Sequence, residues 1–158
     1  MKLHTTLLSL LPLLLGGCAA GSSLEGPGYN TDDGVLIDAE GPYLVVATYT
    51  RITKGEKRRF GDHLDAIKQQ QDEHPGFMAR ALRAEVPGRE RWTLTMWEDE
   101  ESLMDFTFTG AHLDAMLDTT TTIDGLYSAG WWVEADQLPV EWPEALDELA
   151  AETPEDPW

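Results

Sequence analysis

Apolar positions change their period several times between residues 43 and 135, and each change marks an element. Tyr43 to Arg51 is β-branched and aromatic, the make-up of a strand. Gly55 to Glu73 is polar, with Phe60, Leu64, Ile67 and Gln71 at i, i+4, i+7, i+11, which is one stripe of an amphipathic helix. His74-Pro75-Gly76 stops that helix, because proline disfavours helical backbone before it. Phe77 to Val86 and Arg91 to Trp97 read as two strands joined by a turn over Pro87-Gly88-Arg89-Glu90. Asp99 is placed to cap a helix over Glu100 to Phe106, with acids in its first turn. A second helical piece is expected from Ala111 to Asp118, then a loop through Thr119–Thr122, then a strand over Leu126 to Glu134.

The order β-α-β-β-α-β is the ferredoxin-like arrangement, an α+β fold with a four-stranded antiparallel sheet. Two helices cover only one face of such a sheet. Strand side chains alternate, so Trp92, Leu94 and Met96 point one way and Trp97 the other, and Trp131 and Trp132 diverge. The second face is therefore apolar and needs cover from a partner or a ligand.

The flanks differ in pattern. Thr5 to Leu15 is a leucine run, the length of a secretory core and short of the ~20 residues of a spanning helix. Leu15-Gly16-Gly17-Cys18 follows and resembles the bacterial lipobox, whose cysteine is acylated and becomes the new N-terminus. This implies a signal peptide over 1–17 and a membrane anchor through lipid on Cys18. Two or three acyl chains hold stably where one does not. Cleavage after Ala20 by ordinary signal peptidase is the alternative. The implied location is the cell envelope, on the periplasmic side of the outer membrane in a Gram-negative cell. Residues 18–41, rich in Gly, Ser, Asp and Pro, read as a flexible tether. The domain spans 42–135. Residues 136–158 hold eight acidic residues and no basic one, and read as a solvated tail with a short helix from Glu144 to Ala151.

Charge narrows the partners. The 158 residues carry 29 Asp+Glu and 11 Lys+Arg, a formal net of −18, so a nucleic acid is excluded as a partner. Lys54, Lys57, Arg58 and Arg59 are the one basic cluster, either a solvated helix face or a contact for anionic ligands or headgroups. The single cysteine excludes an internal disulfide and a thiolate zinc site, and no metal centre is expected. Phosphate loops, nucleophile elbows and His-Glu-x-x-His spacing do not occur.

Residues 91–116 carry a resemblance. A strand ending in Trp97-Glu98-Asp99, then Glu101-Ser102-Leu103, Phe106, and His112 with Met116 four later, looks like the dimeric α/β-barrel superfamily. The nearest likeness is to antibiotic-biosynthesis-monooxygenase-like domains and to relatives of spheroidene monooxygenase. Pro75-Gly76-Phe77 opening a strand is also similar. The resemblance implies a homodimer whose bare sheet faces close a barrel, and a pocket between sheet and helices in each subunit. Some relatives bind haem through a histidine on the second helix, and others oxidise aromatic substrates without a cofactor. On that likeness His112 is the candidate catalytic residue or haem ligand. Trp97, Phe106, His112, Met116 and Trp131 are the candidate ligand-binding set for a small apolar or aromatic molecule. The chemistry of imidazole suits either role, and a structural histidine fits the same position. The tryptophans serve core and dimer packing equally well. The first reading is therefore a non-catalytic, lipid-anchored binding or interaction domain, the second an oxygenase-like enzyme with His112 central, and the third a structural dimer that engages envelope proteins through its acidic tail.

Overall fold

A computed structural model describes residues 18–152. The signal peptide expected over 1–17 and the last residues of the acidic tail lie outside these. The chain begins with β1 (Cys18–Gly21), a small hairpin of β2 (Tyr29–Asn30) and β3 (Gly34–Val35), and the long β4 (Tyr43–Ile52). Then come α1 (Lys57–Glu73), β5 (Phe77–Val86), β6 (Glu90–Trp97), α2 (Glu100–Thr107), α3 (Gly110–Leu117), α4 (Thr119–Thr122), β7 (Ile123–Val133) and α5 (Trp142–Glu152). The four expected strands form an antiparallel sheet in the order β5-β6-β4-β7, and β1 adds a fifth strand beside β5.

Local signals account for the elements. The Asp99 side chain accepts from the Ser102 backbone N–H at 2.7 Å and caps α2, as expected of Asp at that position. Gly76 takes a positive φ of 77° and lets the chain reverse from α1 into β5; a Cβ there would strike Ser102. The Thr119–Thr122 run is a short helical turn, not a loop, because the Thr119 and Thr122 hydroxyls donate back to the carbonyls of Met116 and Asp118.

The sheet has two covered faces. On one, Leu44, Phe77, Trp97 and Phe106 form a compact core with Val46, Ile67 and Leu103, under α1 and α2. On the other, Tyr43, Val45, Ala47, Ala79, Ala81, Leu94, Met96 and Ala129 are buried beneath the chain's own ends. Leu24 and Tyr29 come from the N-terminal segment, and Val140, Ala145 and Leu149 from the C-terminal one.

This corrects two expectations. Residues 18–41 are not a free tether: β1 pairs with β5, Gly28 N–H donates to the Met78 carbonyl at 2.9 Å, and Tyr29 is 2 % exposed. The segment after 135 is not a solvated tail either, since α5 lays Ala145 and Leu149 into the core. Both misjudgements have one cause. Each segment carries only a few large apolar residues among many polar ones, and few are enough to close a face already built by strands. The face assigned to a second copy is thus closed largely within one chain. Among the described residues, no helix is long and apolar enough to cross a membrane.

Candidate functional site

The helix-side candidates come first. Trp97 ends β6 and is 0 % exposed; Phe106, from α2, is 3 % exposed. Their rings lie 4.8 Å apart, and Phe77 meets Trp97 at 5.2 Å. The Trp97 indole N–H donates to Thr95 Oγ1 at 3.1 Å. These rings fill the space between sheet and helices rather than line an opening.

His112 stands at their edge, its ring 4.9 Å from that of Phe106. A carbonyl only accepts, so Nδ1, 3.0 Å from the Thr107 oxygen, carries the proton and Nε2 keeps its lone pair. Burial pushes the imidazole below its ordinary value, and the Thr107 bond opposes this in part. The neutral tautomer is a serviceable base in principle. Gln70 of α1 fixes the surroundings. Its Oε1 accepts from the His112 backbone N–H at 2.9 Å, and its Nε2 donates to the carbonyls of Phe106 at 3.2 Å and Thr109 at 3.1 Å. A porphyrin would have to lie against the imidazole, and the fully buried Trp97 and Phe106 leave no slot there, so the residues present do not fit haem.

The remaining members scatter. Met116 is 39 % exposed on α3. Trp131 pairs with Val45, and Trp97 with Leu44, so these two tryptophans occupy opposite faces of the sheet. The structure therefore brings Trp97, Phe106 and His112 together and leaves Trp131 out. Trp131 instead buries its Nε1 without a hydrogen-bond partner.

The other face holds an arrangement absent from the sequence reading. Arg83, Trp92, Tyr49 and Tyr127 stand side by side on β5, β6, β4 and β7, one per strand in register. Tyr49 stacks on Tyr127 with centroids 4.6 Å apart and meets Trp92 edge-on at 5.7 Å. The Arg83 guanidinium lies over Trp92 at 5.7 Å and over Trp142 at 6.0 Å. Its Nε is buried without an acceptor. Tyr49 Oη donates to Glu90 Oε1 at 2.9 Å, and burial together with Glu90 pushes the phenol up to about 12. These rings are half-buried, where the neighbouring Val45, Ala47 and Leu94 are fully buried. Beside this row, a cavity of about 30 Å³ between the two terminal segments is floored by Ala81 and Leu94 and walled by Ser22, Val140 and Trp142. It has room for about one water. The one sequence signal available for Arg83 is a charged residue following the small apolar Ala79 and Ala81 on the same face of β5. Trp142 carried none, because it lies in the supposed tail.

The geometry defines a ferredoxin-like α+β domain, with helices on one sheet face and terminal segments on the other. Residues 45–154 match the family described as domain of unknown function DUF3291, and the chain belongs to that family. The match takes in α5 and leaves out β1 to β3. Among solved structures, PA3566 from Pseudomonas aeruginosa is 12 % identical with a TM-score of 0.54, over 59 % of this chain and 95 % of that one. Rv0793 from Mycobacterium tuberculosis is 11 % identical at 0.53, over 63 % and 96 %. SnoaB, a cofactor-independent oxygenase from Streptomyces nogalater, is 11 % identical at 0.52, over 63 % and 100 %. At such identities the likeness is one of fold. No curated protein matches the sequence.

Proposed function

We propose that this is a lipid-anchored domain of the cell envelope that binds a flat aromatic or apolar molecule on the half-open part of its sheet. The row Tyr49, Trp92, Tyr127 with Arg83 at its end carries the binding reading. Aromatic faces in register present a stacking platform, and the guanidinium adds a cation beside it. The anchoring reading rests on Leu15-Gly16-Gly17-Cys18 after a leucine run. Catalysis through His112 has less support, because the rings beside it fill the space a substrate would use.

Titration with 2-naphthoate, followed by tryptophan fluorescence, tests binding. Saturable quenching is expected, lost in Trp92→Leu and retained in His112→Ala. Quenching that vanishes with His112 and survives Trp92→Leu would move the site to the helix side and overturn the proposal. Metabolic labelling with palmitate tests the anchor: label is expected on the parent chain and none on Cys18→Ala.

A further inference from the structure

One end of the sheet collects the basic residues. Register places Arg51 of β4 opposite Glu90 and Gly125, Arg91 of β6 opposite Ala84, and Arg89 in the turn beyond β5. The loop after β4 and the first turn of α1 add Lys54, Lys57, Arg58 and Arg59, all exposed. Seven of the chain's 11 basic residues thus sit at one pole of an acidic molecule. The acids there are largely engaged. Asp124 receives Arg51 and Arg89, each at 2.6 Å, and Asp118 receives Arg59 and His63. Glu90 accepts from Tyr49, while Glu56, Asp62 and Glu85 remain as local negative charges. Among the described residues, Lys54, Lys57 and Arg58 make no ion pair. The opposite pole carries Glu98, Asp99, Glu100, Glu101, Glu134 and Asp136, all exposed.

Cys18 belongs to the basic pole. Its backbone pairs with Val86, the last residue of β5, which is 60 % exposed beside exposed Pro87. No spacer separates Cys18 from the sheet: β1 starts at that residue.

We propose that the basic pole is a docking surface for an anionic lipid membrane, and that the domain rests directly on the bilayer with Lys54, Lys57 and Arg58 toward the headgroups. This rests on the anchoring reading for its setting in the cell. The net charge does not prevent it. β4 has 10 residues and spans about 33 Å at ~3.3 Å each. The screening length is only ~10 Å at 0.1 M salt, so headgroups meet the basic pole and barely sense the acidic one. Each exposed cation near an anionic leaflet favours contact.

The test supplies the lipid chemically and so does not depend on acylation in the cell. The chain from Cys18 onward contains every described element, and its single thiol couples to a maleimide lipid in phosphatidylcholine vesicles, with or without about 30 % phosphatidylglycerol. Amine acetylation of Lys54 and Lys57 is then read by mass spectrometry against Lys68, farther along α1. On the anionic vesicles the two lysines are expected to react about tenfold more slowly relative to Lys68, with the protection abolished by 1 M salt. Equal reactivity on both vesicle types, or protection that salt leaves intact, overturns the docking surface. Absence of palmitate from the cellular protein would instead overturn only the anchor.

Discussion

Tyr49 joins the aromatic row to the acidic Glu90, and its phenol is the most perturbed group described, lifted to about 12. The unfolded chain loses this proton near 10, so between about 10 and 12 the unfolded state is the more deprotonated one. Stability from this group is therefore intact below pH 10 and drains away as pH rises through that window. Absorbance titration at 295 nm is expected to show Tyr49 and Tyr29 titrating late, with Glu90→Gln bringing one of these late phenols to lower pH. His112 works at the other end of the scale. Its imidazole is held below 6.5 by burial, so below that pH the unfolded chain takes up a proton the folded one resists, and stability falls with falling pH. Chemical denaturation of His112→Gln between pH 7 and 5 is expected to lose part of this acid-side slope. Gln70 supports both helices around that histidine through its two polar ends. Gln70→Ala leaves the partly buried His112 backbone N–H unpaired and is expected to cost about 1–3 kcal/mol, measured as a lower urea midpoint.

At the scale of elements, the terminal segments matter most. The N-terminal one lies tight against β5: a Cβ on Gly28 would approach the Met78 Cα to 2.9 Å, and one on Gly26 the Met78 oxygen to 2.4 Å. Backbone atoms cannot retreat, so Gly28→Ala is expected to free the segment and expose sites within 22–35 to limited proteolysis, while the sheet remains folded. Leu149 anchors the C-terminal segment at 2 % exposure, and Leu149→Ala is expected to cost about 2–5 kcal/mol in equilibrium unfolding. Sequence patterning revealed β4 to β7, α1 and the Asp99 cap, because each has either a clean period or a named capping residue. It did not reveal β1 to β3 or the packing of α5. Two- and four-residue strands carry no period, and α5 is legible as a helix but not as a lid. Of the site, Trp97, Phe106 and His112 were legible as neighbours through the likeness at 91–116. The row across β4 to β7 was not, since it exists only once register is fixed.

For the molecule as a whole, the terminal segments decide how the domain meets other proteins. A ferredoxin-like sheet with one bare face would associate through it, but here Leu24, Tyr29, Val140 and Leu149 occupy that face. In sedimentation, the chain from Cys18 onward is expected to run as a monomer, and truncation after residue 135 to produce dimers or larger species. An intact chain that forms the same dimer as the truncated one would contradict this account.

The short first strand has a last consequence. Without it, β5 would be the outer margin of the sheet, ten residues long and lined with unsatisfied amides and carbonyls. Four residues of β1 and the single bridge from Glu25 to Arg80 shield that margin from templating by other copies. A protease nick just after Gly21 would therefore do more than loosen an end: it would leave the Arg83–Val86 stretch of β5 open to pairing with another copy.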